Sequence, residues 1–236
     1  MTDDAPALTL PEELLLLTLD TERGMPLCSR SSLRYAVAGA ALAELELQGL
    51  IREERGRVQV VTPLGPAHPV LSTLLGTLGS PVKKSRFLSG TSPRVWTRQY
   101  ARNAEELHLA HLVERGLLRR EARRVLGVFP SLRHVPGDPD LTGATRWRFG
   151  QAEARDFPDA RSRTLAGLVS AIGLAGTLTT RGREGRSAMR TARRTHWIAS
   201  AVDQNIRQRR SSSAGGGGGG WSDAGGGGGC GGGGGD

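Results

Sequence analysis

Apolar residues cluster in short stretches that mostly keep a helical period. Thr9-Leu10-Pro11-Glu12 reads as a helix start: Thr9 can cap, Pro11 suits the first turn and Glu12 can close a capping box. Leu14 to Leu17 and Leu19 then form a densely apolar helix. A second helix is predicted over about 32–48, where Val37, Ala41, Leu42 and Leu45 recur at helical spacing and Gly49 stands ready to end it. Leu50-Ile51 and Val58 to Val61 flank the polar turn 53–57 and predict a small β-hairpin. Further helices are predicted at 68–78, 95–115, 160–174 and 187–208.

A partial repeat supports this layout. Residues 49–61 (GLIREERGRVQVV) align with 116–128 (GLLRREARRVLGV), seven of 13 positions being identical. Each copy follows an amphipathic helix, so the predicted unit is helix, Gly stop, strand, charged turn, strand. Two copies are too few for a solenoid. The expected fold class is therefore mainly α: one compact helical domain with short β-hairpins over residues 1–210. From Ser211 the chain reads SSSAGGGGGGWSDAGGGGGCGGGGGD, which holds 16 of the 34 glycines. So little apolar surface cannot offset the entropy of ordering, and residues 211–236 are expected to be a flexible Gly-rich tail.

Composition narrows the function. Cys28 and Cys230 are the only cysteines, which excludes a disulfide framework and a cysteine-rich zinc module. No apolar run approaches the ~18–20 residues of a membrane-spanning helix, and the acidic start Met1-Thr2-Asp3-Asp4 does not read as a signal peptide. A soluble, intracellular-type chain is expected. Residues 1–60 carry ten acidic and six basic residues, whereas 61–210 carry 26 basic and 11 acidic. A basic body of that kind favours polyanions: nucleic acid, anionic lipid or phosphorylated ligands.

Candidate chemistry is sparse. His108 and His111 lie three apart on a predicted helix beside Glu105 and Glu114, a spacing at which two imidazoles can share a metal. No further segment offers an evident ligand, so no metal site and no cofactor are assigned. The Gly-x-Ser-x-Gly elbow, the Walker motif and a strand-linked Gly-x-Gly-x-x-Gly are missing, and the expectation is a binding protein, not an enzyme.

Four segments in order carry a family resemblance. They are Leu8 to Leu17 (LTLPEELLLL), Ala43 to Gly49 (AELELQG), His111 to Leu118 (HLVERGLL), and the pair Pro158-Asp159-Ala160-Arg161 and His196 to Val202 (HWIASAV). Over about residues 7–208 the chain resembles the Golgi phosphoprotein 3 family. That resemblance implies a mostly α-helical peripheral membrane protein that recognises phosphatidylinositol 4-phosphate on the cytosolic face of the Golgi. In eukaryotes the family also sorts glycosyltransferases by binding their cytosolic tails. The Arg-rich composition points to a bacterial source, for which a cytoplasmic, peripherally membrane-associated location is expected.

In a gap-free alignment the family's head-group Trp falls at Ser29, its first Arg at Ala38, and its later Arg pair at Arg102 and Glu105. Arg102 is retained. Arg34, one turn before Ala38, and Arg98, one turn before Arg102, are the substitutes, so Arg34, Arg98 and Arg102 are the candidate head-group residues. The family's second hairpin is associated with membrane insertion and self-association. Phe129, Leu132 and Arg133, expected at the hairpin tip, are the candidate membrane contacts. The runner-up is a nucleic-acid-binding protein, because helices followed by a two-stranded wing resemble a winged helix. Glu44 and Glu46 on the helix before the first hairpin count against it, since base edges call for Arg, Lys, Asn or Gln. A protein-interaction scaffold with an incidental basic surface is a third reading.

Overall fold

A computed structural model describes residues 7–62, 65–78, 90–125 and 129–214. The elements in chain order are α1 (Leu10–Leu17), β1 (Leu19–Asp20), β2 (Met25–Pro26), α2 (Arg30–Leu47), β3 (Ile51–Glu54), β4 (Arg57–Val60), α3 (Pro69–Leu78), α4 (Pro93–Glu114), β5 (Leu118–Val125), β6 (Phe129–Pro136), α5 (Thr142–Ala154), α6 (Ala160–Ala171), α7 (Ala175–Leu178), α8 (Gly182–Thr195) and α9 (Trp197–Ala214). The three strand pairs are separate antiparallel hairpins.

Helix α2 is the centre. Its residues from Ala36 to Leu45 are all buried, and α1, α4, α6 and α9 pack around it. Small residues make this possible: Ala36, Ala38, Ala40, Ala41 and Ala43 let neighbouring helices approach closely. Gly39 marks a close crossing, where an added Cβ would lie 2.5 Å from Val202 of α9. A helix enclosed on every side cannot also enter a DNA groove, so the winged-helix reading loses its recognition helix.

The expected start and stops are realised. At the head of α1, the Glu12 carboxylate accepts hydrogen bonds from the Thr9 N–H (2.8 Å) and the Thr9 hydroxyl. Gly49 has φ +70° and Gly116 φ +71°; in both copies of the repeat the glycine N–H and the following N–H reach back to the last helical turn, to Glu46 and Leu45 and to Val113 and Leu112. Those paired bonds form the same left-handed helix stop twice.

The family-like segments act as girders. Arg161 of α6 reaches Glu13 (3.2 Å), Glu44 (2.8 Å) and the Leu8 carbonyl (2.6 Å), and the Leu10 N–H also donates to Glu44 (2.7 Å). Trp197 donates its indole N–H to Glu46 at 2.9 Å. Glu44 and Glu46 therefore tie helices together inside the bundle.

Several sequence expectations need correction. The predicted helix 187–208 is two helices, because His196 adopts an extended backbone (ψ 120°) and its imidazole bonds the Thr164 hydroxyl at 2.9 Å. Helix α5 was not foreseen, since its few apolar positions leave no clear stripe. The second hairpin is longer than its repeat partner. The charged run 119–124 is strand rather than turn, and Val125 pairs with Phe129. Leu132 and Arg133 thus lie along β6, whereas Phe129 opens the strand in the pair nearest the turn, and its side chain lies outside the described residues. Ser211 to Ala214 extend α9, whereas the remainder of the expected tail, 215–236, lies outside the described residues.

Candidate head-group pocket

A pocket of about 310 Å³ opens between the β1–β2 hairpin, the first turn of α2, the middle of α4 and the β5–β6 hairpin. Each wall follows from local structure. The Asp20 carboxylate accepts the N–H groups of Glu22 (3.1 Å) and Arg23 (3.0 Å), and Gly24 at φ +63° closes the turn. The Gly24 carbonyl then accepts the His134 N–H at 3.1 Å, docking the β5–β6 hairpin onto the β1–β2 hairpin. Ser29 caps α2 by accepting the Ser32 N–H (3.3 Å), which leaves Arg30 in the first turn and Arg34 one turn on.

Leu15, Leu19, Leu33, Leu109 and Leu118 make the apolar walls. At the mouth, Met25 is 50% and Leu132 67% exposed. The polar end is built on Glu105 of α4, whose side chain is only 2% exposed. Arg34 Nε donates to it at 2.7 Å, and Arg30 Nε bonds both its oxygens at 3.3 Å. Two guanidinium groups therefore face one carboxylate, a local net charge of +1. Arg30 is the more available, at 57% exposed against 29% for Arg34.

Two further groups face this space. Burial, reinforced by the positive charge of Arg120 and Arg30, holds the His134 imidazole below its ordinary pKa. Burial pushes the Cys28 thiol up to about 11, so it is a protonated, weakly nucleophilic group at neutral pH. The pocket has the character of a binding site: apolar walls, one fixed cationic end, and an apolar lip open to solvent.

Among the residues expected at the site, Leu132 is at the pocket's mouth, and Arg34 does not line the pocket but holds Glu105, which does. Ser29 and Glu105, aligned with the family's head-group positions, both line the pocket. Ala38 is fully buried in the core. Arg102 stands one turn before Glu105 on α4, but its guanidinium is exposed and pairs with Glu106 at 2.7 Å. Arg98 is exposed on the same helix, and Arg133 is half-buried on β6. Sequence reasoning passed over Arg30 and Met25. The spacing of Arg30, four residues before Arg34, was the available signal.

Residues 10–209 match the family described as Golgi phosphoprotein 3 (GPP34), and the chain belongs to that family. No curated protein matched the chain. Among the described residues no helix is long and apolar enough to cross a membrane. The class is thus a helical Golgi phosphoprotein 3-type domain.

Proposed function

We propose that this protein is a non-enzymatic, peripheral membrane-binding member of its family that takes an anionic lipid at the pocket between α2, α4 and the two hairpins. The observation that carries the reading is the pairing of an exposed apolar lip, Met25 and Leu132, with a cationic end where Arg30 lines the pocket and Arg34 stands beside it on the same Glu105 carboxylate. An apolar lip enters the boundary between head groups and acyl chains, and the guanidinium groups meet the phosphate beneath it.

Glu105 shapes the specificity. With one of the two positive charges already neutralised, the site suits a singly charged phosphodiester better than the doubly charged phosphomonoester of phosphatidylinositol 4-phosphate. General anionic-lipid binding is therefore favoured over phosphoinositide selectivity. Arg98 and Arg102, exposed on α4, add to the field that draws the protein to an anionic leaflet.

Liposome co-sedimentation at near-physiological salt tests this reading. Neutral vesicles are compared with vesicles of matched charge carrying either a simple anionic lipid or phosphatidylinositol 4-phosphate, because screening beyond ~8 Å suppresses attraction by distant charge. Similar binding to both anionic mixtures is expected. No binding to either would transfer the function to another polyanion or to the tails of membrane proteins. The second reading, nucleic acid, has one observation in its favour: Arg183, Arg186 and Arg190 of α8 line an open groove of about 500 Å³. Duplex DNA in place of vesicles tests it directly.

A further inference from the structure

Three segments far apart in sequence bring Glu12, His68 and His111 together. Glu12 lies in the first turn of α1, His68 just before α3, and His111 in the last turn of α4. We propose that these three side chains bind a divalent transition-metal ion, zinc by the chemistry of the donors.

The geometry is close to what one ion requires. His68 Nε2 lies 3.4 Å and His111 Nε2 3.9 Å from the same oxygen, Glu12 Oε1. The three donor atoms all lie within 4.8 Å of one another. Two ligands on a tetrahedral zinc, each ~2.0–2.1 Å from the metal, are about 3.3 Å apart. The His68 pair already meets that distance, whereas His111 must close in by about half an ångström on Glu12 and by as much as ~1.5 Å on His68. The two imidazoles stand edge to face, 4.5 Å between centroids. Glu12 is fully buried, whereas His68 and His111 are 14% and 16% exposed, so the site has a closed floor and an open edge through which an ion and its water can enter. Two His and one carboxylate with an open position is a recurrent zinc donor set.

The neighbouring imidazole adds an independent observation. His108, one turn before His111, stacks on His68 with centroids 5.9 Å apart. It is fully buried, donates from Nδ1 to the Ala104 carbonyl at 2.8 Å, and leaves Nε2 without a hydrogen-bond partner among the described residues. A buried acceptor with no partner is costly, and its ring stacks beside that of a metal ligand.

Two contacts oppose the ion. Arg115 Nη1 sits 3.0 Å from Glu12 Oε1 and must give way; it is 24% exposed and retains a bond to the Ala7 carbonyl at 3.3 Å. The His68 Nδ1 also accepts the Leu71 N–H across 3.4 Å, a long contact that is lost when the metal takes Nε2 and the proton moves to Nδ1. Arg115 therefore acts as an internal competitor, which places the affinity below that of a dedicated zinc-finger site.

The test uses untagged full-length protein freed of metal by chelation. Equilibrium dialysis against zinc chloride is expected to give one ion per chain, with a higher Tm in its presence. Cobalt(II) should develop the visible absorption of a tetrahedral complex. His68→Gln and His111→Gln should each weaken zinc binding at least tenfold, while His134→Gln, in the lipid pocket, leaves it unchanged. Arg115→Gln should tighten binding severalfold. Failure to bind stoichiometric zinc overturns the proposal, as does zinc retained undiminished by the two histidine variants, which would place it at other groups. Should the histidine variants fold poorly, Arg115→Gln decides alone: unchanged or weaker binding overturns the proposal.

Discussion

Replacing Glu105 with Gln should convert the pocket from a weak to a strong anion site. In the native chain the carboxylate holds Arg34 at 2.7 Å and Arg30 at 3.3 Å, so an incoming phosphate competes with an internal anion. Gln is nearly isosteric and keeps one carbonyl acceptor, but it removes the charge. The local balance then rises from +1 to +2. An additional unit of charge close to an anionic leaflet contributes about 1 kcal/mol. A guanidinium released to bond phosphate adds about 1.5 kcal/mol or more, the usual worth of a hydrogen bond to a charged group. Together these give at least a tenfold gain in vesicle affinity, since 1.4 kcal/mol corresponds to a factor of ten. The gain should be larger for a phosphomonoester head group, whose second charge the native site does not match. Stability moves the other way. Losing one member of a buried ion pair costs up to 3–5 kcal/mol when the remaining charge is trapped. Arg30 is more than half exposed and can turn to water, so about 1–2 kcal/mol is expected. The assay is co-sedimentation with anionic vesicles over a lipid titration, alongside circular dichroism and a thermal melt. Unchanged or weaker binding by a folded Glu105→Gln protein would refute the argument that Glu105 occupies the place of the ligand's phosphate.

Other perturbations separate pocket, lip and scaffold. Arg30→Glu should abolish anionic-vesicle binding at near-physiological salt, whereas Arg102→Glu, whose side chain already pairs with Glu106 outside the pocket, should reduce it only severalfold. Met25→Asp with Leu132→Asp should lower membrane affinity at least tenfold without lowering Tm, because both side chains are half or more exposed; a fall in Tm would show that they pack in the fold. Gly39→Val should destabilise by about 1–3 kcal/mol or prevent folding, since its Cβ meets Val202 at 2.5 Å; a melt within error of the wild type would refute the close α2–α9 crossing. Burial and then Arg163 hold the folded-state pKa of His196 below 6.5. The folded protein thus binds fewer protons than the unfolded chain, so this group's contribution is present above pH 6.5 and is lost as pH falls below it. His196→Gln should flatten the dependence of Tm on pH in that window, and an unchanged slope would remove His196 as its source.

Much of the scaffold was legible along the chain because it depends on neighbours. The Thr9–Glu12 capping box and the stops at Gly49 and Gly116 involve residues within a turn or two, where spacing and side-chain type decide the outcome. The repeated Gly-Leu after α2 and α4 announced two equivalent helix ends, and the structure has both. The length of the second hairpin was not announced: Arg119 to Arg124 looks like a polar turn, but pairing with Val135 to Pro130 makes it strand. The break at His196 also escaped, because no Gly or Pro marks it and the partner of its imidazole, Thr164, lies on another helix.

By itself the sequence determined the helical class, the family and the surplus of positive charge, all of which follow from local periodicity, motif order and composition. Only the tertiary structure decided which of many arginines matter. Arg30 lines the pocket and Arg34 stands beside it because both pair with Glu105, more than 70 residues away, while Arg102, one turn before Glu105 on α4, faces solvent. It likewise decided that Glu12, His68 and His111 form one cluster. Charge and ligand geometry act through space over a few ångströms, and separation along the chain does not encode that distance until the helices pack.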